Sequence, residues 1–259
     1  MTTRLMLISP AMNAALREAR FPHTDEPAAT GTGPGGEPGG EPVTGAGGEM
    51  MTPPGGDALD ALGLRQAEAV REHFPATATV YVSPSPRCRR TAGALGLDAR
   101  TLPALAPCAM GRWQGRTLDE VAAAEPAALA SWLSDPASAP HGGESLLELL
   151  ARTAHWLDTL GDGDGTPADG GATGKSTDEN GTTGKSTAGK RTGGNGTPGS
   201  RLIAVVEPDI VRACAVHALG APPAAFWRID VRPLTATELS GRAGRWNLLS
   251  GRPLHSAAS

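Results

Sequence analysis

The chain has 259 residues, a net charge of −4 and interspersed acidic and basic residues, so no basic face stands out to attract a nucleic-acid backbone or an anionic membrane. No apolar run approaches the roughly 20 residues that span a bilayer, and MTTRLMLISP lacks the long apolar segment and cleavage site of a signal peptide. The three cysteines, Cys88, Cys108 and Cys214, form no C-x-x-C and suit a reducing compartment. A cytoplasmic protein with a small-molecule ligand or a protein partner is expected, with no nucleic acid, membrane, metal or cofactor.

In chain order, RLMLIS is a compact apolar run bounded by Pro10 and reads as a strand buried on both faces. Thr24 to Asp57 is mostly Gly, Pro, Glu, Thr and Ala, with GGEPGGEP as a small tandem repeat. It cannot bury enough apolar surface to offset the entropy of ordering its backbone, and disorder is expected over about 24–57. ALGLRQAEAVREHF then places Gly63, Ala67, Val70 and Phe74 close to one helical face. ATVYVS reads as a second buried strand, followed by a helix from RRTAGALG. In TLDEVAAAEPAALASWL the proline should break or restart a helix. SLLELLARTAHWLDTL is the strongest helix, with Glu144 and Ser145 near its start and a stripe of Leu146, Leu149, Leu150, Thr153 and Leu157.

Gly161 to Ser200 contains no Val, Ile, Leu, Met or aromatic residue, and disorder is expected over 161–200. Its GATGKST and GTTGKST copies contain a Gly-Lys-Ser triplet, but a phosphate-binding loop needs a further glycine where Asp169 and Glu179 stand. The third strand is RLIAVV, and its helix IVRACAVHALG ends on Gly220, a natural stop. Setting the two insertions aside leaves about 185 residues, which suits a single α/β domain over 1–259. In such sheets ligands bind beyond the carboxyl ends of the strands, which directs attention to LISPAM, YVSPSPR and VVEPDI. The chain has no G-x-S-x-G elbow and no H-E-x-x-H.

Four segments resemble, in order, the histidine phosphatase superfamily, also called the phosphoglycerate mutase-like family. ALDALGLRQAEAV is similar to its L-x-x-x-G-x-x-Q-A helix through Leu59, Gly63, Gln66 and Ala67. YVSPSPRCRRTAGAL resembles S-S-P-L-x-R-A-x-Q-T-A, while GRWQGRTLDEV and HGGESLLELLAR resemble the G-x-W-E-G and G-G-E-S stretches. HALGAPPAAFWRIDVRPLTATELS looks like the closing helix and strands. The resemblance implies a three-layer α/β fold, with a mainly parallel central sheet and helices on both faces.

The resemblance also implies where chemistry would lie. The family's R-H-G after the first strand, whose histidine is the nucleophile, aligns with Ser9 and Pro10. An expected arginine is present as Arg87, the acid near G-x-W-E-G becomes Pro107, and the second histidine becomes Glu207. Phosphoryl transfer needs an attacking group and preorganised positive charge around the phosphate oxygens; Ser9 and Pro10 provide neither. Glu207 would repel a phosphate, by roughly 4 kcal/mol at 4 Å and an effective dielectric near 20.

Three outcomes are open for these positions. Arg87 and Glu207 pair and neutralise the pocket; Arg87, Glu207 and Ser9 form a repurposed ligand site; or Ser9, Ser83 or Ser85 acts as a displaced nucleophile. His141 is expected to cap the following helix. The leading expectation is a pseudophosphatase that binds a ligand or regulates, with an active phosphomonoesterase and a partner-docking domain as alternatives.

Overall fold

The computed structural model describes residues 2–22, 59–71, 74, 78–160 and 201–250. Both Gly-rich insertions, with the disorder expected of them, lie outside the described residues.

The strands are β1 (Thr3–Ile8), β2 (Thr79–Val82), β3 (Arg100–Thr101), β4 (Arg201–Val205), β5 (Ala236–Arg242) and β6 (Arg245–Leu249). They form one sheet in the order β3-β2-β4-β1-β5-β6. The first four are mutually parallel where they pair, and β5 and β6 run antiparallel at one side. The three apolar runs thus lie side by side at the centre, with β4 between the other two.

Alternation along these strands feeds two cores. Leu5 and Leu7 of β1, Tyr81 of β2 and Leu202 and Ala204 of β4 enter the larger one. Ile8, Val82, Ile203 and Val205 enter the smaller one, on the other face. Burial on both faces explains why the runs are apolar throughout rather than alternating.

Helices α2 (Ala61–Ala69) and α3 (Pro86–Ala94) cover the smaller core through Ala67, Cys88 and Ala92. Helices α6 (Leu146–Thr159) and α7 (Pro208–Leu219) pack against each other over the larger one. A short α1 (Ala14–Arg17) follows β1, and α4 (Leu118–Ala124) and α5 (Pro126–Ser134) precede α6. The proline restarts the helix as expected: Pro126 occupies the first turn of α5, where a missing N–H costs nothing. On α6 the buried stripe is Leu146, Leu149, Thr153, Trp156 and Leu157.

Two expectations are corrected. The second helix stops at Ala69, so Val70 is a cap residue and 38% exposed rather than part of the buried stripe. His141 does not cap α6. That cap is Ser145, whose hydroxyl accepts from the Glu148 amide while the Glu148 carboxylate accepts from the Ser145 amide. His141 instead accepts from Gly143 N at Nδ1 (3.0 Å) and lies against Trp113, with ring centroids 5.0 Å apart. Burial, followed by the nearby Arg112 charge, holds its pKa below the usual imidazole value.

Two glycines fix the approach of segments that frame the site. A Cβ on Gly143 would lie 1.8 Å from the Ala109 carbonyl oxygen, so only glycine lets HGGES lie against the chain before GRWQG. A Cβ on Gly63 would lie 2.8 Å from Met12 O, which brings α2 against the turn after β1.

Candidate functional site

The register aligns Ile8, Val82 and Val205 across the sheet, so the turns beginning at Ser9, Ser83 and Val206 emerge together. Backbone bonds keep them in step: Ser83 N donates to Val205 O and Val206 N to Ile8 O, both at 2.9 Å. All three sequence-nominated turns therefore meet at the carboxyl edge of the parallel strands, as such sheets favour.

Two of them open helices in the same way. Pro86 and Pro208 each occupy the first helical turn, after Ser85 and Glu207 as N-caps. Ser85 caps with its side chain, whereas Glu207 makes no side-chain cap bond. The Glu207 carboxylate turns across to α3 instead. It forms an ion pair with Arg87 through Nη2 and accepts from Arg87 Nε at 3.3 Å and from Ser85 Oγ at 2.6 Å. Cys88 Sγ lies 3.5 Å from Glu207 Oε1.

Both Arg87 (7% exposed) and Glu207 (5%) are buried. Burial alone would depress the Arg87 pKa, but the charge and hydrogen bonds of Glu207 outweigh it and the net shift is upward. The guanidinium and the carboxylate face each other as an ion pair, so their opposite charges offset one another. Glu207 thus acts as a built-in anion, accepting the donors that an anionic ligand between α3 and α7 would otherwise use. Desolvation, then the Glu207 charge, pushes the Cys88 thiol well above its usual value, so it is no thiolate nucleophile at neutral pH.

Ser9 is buried and faces elsewhere. Its hydroxyl donates to Arg232 O and accepts from Thr235 N at 3.1 Å, tying the end of β1 to the segment before β5. Neither Ser9 nor Pro10 lines the cleft among the described residues. Ser83 is buried and accepts from Ser85 N at 3.3 Å, and Ser85 is held by Glu207 and by its capping role. No described histidine contacts any of these hydroxyls.

Pro107 is buried and carries no carboxylate, but an acid reaches the same stretch from α7. Asp209 Oδ2 accepts from Cys108 N at 2.6 Å and Oδ1 from Ile210 N at 2.8 Å. Burial raises the Asp209 pKa to about 6, the bond from Cys108 N opposes the rise and Glu207 adds to it. Sequence reasoning passed over Asp209, although it stands two residues from Glu207 in the first turn of the same helix.

The cleft in front of these groups has a volume of about 200 Å³ and takes in Ser85, Arg87, Glu207 and Asp209. Aromatic walls come from Phe21, Trp132, Phe226 and Trp227. Trp132 and Trp227 meet edge to face at 4.8 Å. These walls were not legible beforehand, because they come from distant segments. The signal was composition: four of only nine aromatic residues (Trp 5, Tyr 1, Phe 3) line this cleft.

Among the described residues no group of three or more His, Cys, Asp and Glu could hold a metal ion, and no helix is long and apolar enough to cross a membrane.

Residues 48–166 match the histidine phosphatase superfamily (branch 1). No curated protein matches the chain. Solved structures share its architecture at low identity. A mycobacterial glucosyl-3-phosphoglycerate phosphatase is 22% identical over 96% of this chain and 97% of its own, with a TM-score of 0.63. A phosphoserine phosphatase variant from Entamoeba histolytica, solved with phosphoserine, is 15% identical over 96% and 95%, at 0.62. The alpha-ribazole phosphatase of Shigella flexneri is 14% identical over 95% and 94%, at 0.60. At these identities the structures speak to the fold. The family match over residues 48–166 and the mostly parallel six-stranded sheet flanked by helices agree, and the chain has a phosphoglycerate mutase-like fold, similar to the histidine phosphatase superfamily.

Proposed function

We propose that the chain is a pseudophosphatase: a histidine phosphatase-like protein that binds a small ligand in the cleft, as a binding or regulatory protein, and does not turn over phosphomonoesters. The observation that carries this reading is the buried Arg87–Glu207 pair. The arginine that would stabilise a transferring phosphoryl group is neutralised by a carboxylate at the position the resemblance assigns to a histidine. Pro10, at the position of the attacking histidine, has no atom that can carry a phosphoryl group. A dianionic phosphate entering the cleft would have to displace Glu207 from Arg87 and then lie beside two carboxylates, Glu207 and Asp209.

Buried, protonated Cys88, Cys108 and Cys214 suit a reducing compartment, which supports a cytoplasmic location.

The test is hydrolysis of a broad phosphomonoester panel by the purified protein, with Arg87→Ala as the control for contaminating phosphatases. No turnover above the variant is expected. Turnover that disappears in Arg87→Ala overturns the reading and makes the chain an active phosphomonoesterase, with Asp209 the first candidate for its acid.

A further inference from the structure

With Arg87 and Glu207 cancelling each other, the charges left in the cleft are Arg20, which is already paired with Glu18 at 2.6 Å, and two residues of α7. Asp209 and Arg212 both line it and stand three residues apart, a spacing that puts side chains on one helix face. They are not paired with each other. Among the described residues no Lys, Arg or His nitrogen lies within ion-pair distance of Asp209, which accepts two backbone amides and retains lone pairs on both oxygens. Arg212 donates through Nε to Ile229 O at 2.8 Å and lies 5.7 Å from the Phe226 ring centroid, which leaves its two terminal nitrogens for other acceptors. A full negative charge on Asp209 outweighs the roughly half unit of positive charge at a helix N-terminus.

Around this pair of opposite charges the walls are aromatic and the rest of the lining is largely apolar. Trp132, Trp227 and Phe21 face the cleft, with Met110, Leu146 and Leu149 beside them. A cleft of about 200 Å³ is several times the ~30 Å³ share of one water, enough for a ring with a short polar tail. Aromatic walls favour a ring packed edge to face and also attract an ammonium group.

We propose that the cleft binds a small zwitterion with an aromatic body, the chemistry of an aromatic α-amino acid, with its ammonium at Asp209 and its carboxylate at Arg212. This rests on the ligand-binding reading of the same cleft and names the ligand class. Each charge of such a ligand meets an unpaired opposite charge, and its ring replaces water against apolar walls. A phosphate ester meets Asp209 as a repulsion, and a neutral aromatic leaves both charges unanswered.

The experiment is calorimetric titration of the full-length protein with L-phenylalanine, 2-phenylethylamine, 3-phenylpropionate and orthophosphate. L-phenylalanine is expected to bind at least about tenfold tighter than either one-ended analogue, a difference of about 1.4 kcal/mol. Asp209→Asn should weaken L-phenylalanine and 2-phenylethylamine by about tenfold and leave 3-phenylpropionate unweakened. Trp227→Ala alters a side chain that is already 37% exposed and should weaken all three aromatic probes while the fold is retained, as read by thermal melting.

The proposal is overturned if 3-phenylpropionate or orthophosphate binds as tightly as L-phenylalanine, if Asp209→Asn leaves amine binding unchanged, or if no probe binds at concentrations on the order of 10 mM. The same preparation assayed with phosphomonoesters separates the two readings. Arg87-dependent turnover would remove the pseudophosphatase, while the ligand class would still stand or fall on Asp209→Asn.

Discussion

The floor and the wall of the cleft treat charge in opposite ways, although Glu207 and Asp209 are only two residues apart. At the floor, Glu207 is matched by Arg87, Ser85 and their surroundings, and the group is closed on itself. On the wall, Asp209 and Arg212 face the same space without meeting. The difference teaches that a charged residue in a cleft is not by itself a ligand-binding residue: what decides is whether the fold has already supplied its partner. Burial of a pair costs several kcal/mol per ion in desolvation, and mutual attraction in good geometry offsets much of it.

The comparison breaks most severely if one member of the floor pair is removed. Arg87→Ala leaves Glu207 buried without its cation, and urea unfolding should show a loss of about 3–5 kcal/mol. Replacing both residues together, Arg87→Met with Glu207→Leu, should restore most of that stability. A single variant that costs less than about 1 kcal/mol would mean that solvent, rather than Arg87, holds the Glu207 charge.

The wall predicts a pH effect. Asp209 binds its proton more tightly in the folded chain than at its usual value of 3.8, with a folded pKa of about 6. Its contribution to stability is therefore fully present below about pH 3.8 and is lost as pH rises through about 6. Two pKa units at about 1.4 kcal/mol each set an upper bound of about 3 kcal/mol, reduced by whatever water reaches the half-buried carboxyl. Glu207 reinforces the shift, while Arg152 and the amides of Cys108 and Ile210 oppose it. Other carboxylates titrate in the same range, so the readout is the difference between wild type and Asp209→Asn across pH 4 to 7, which should slope with pH. A flat difference would place Asp209 in contact with bulk water.

The smallest effect sharpens the contrast between the regions. Glu207→Gln removes the built-in anion, and orthophosphate affinity should rise by about tenfold, or about 1.4 kcal/mol, in calorimetric titration. Unchanged phosphate binding in that variant would show that Arg87 does not face the ligand space once released.

The sequence made the floor visible and hid the wall for a physical reason. The three apolar runs and the turn residues after them are local signals, so Arg87 and Glu207 could be assigned to neighbouring turns before any coordinates. The resemblance also drew attention to Ser9, but its hydroxyl belongs to the Arg232–Thr235 segment, a contact across 226 residues that no local pattern announces. The wall is assembled from residues near 21, 132, 212 and 227, which only tertiary packing brings together. Its one local clue was an acid in the first turn of a helix, ordinarily explained by the helix dipole alone.

The position of β4 has a further consequence, in time rather than energy. It lies at the centre of the sheet, between β2 and β1, yet it is the last of the four parallel strands to be synthesised. The inner edges of β1 and β2 therefore wait without their partner until residues 201–205 emerge, and the Arg87–Glu207 contact closes a separation of 120 residues. Contacts of such long range form late, so weakening this pair should speed unfolding more than it slows folding. On the ribosome, Leu5, Leu7 and Tyr81 must stay out of wrong pairings for most of translation, an interval in which a holding chaperone has the most to protect.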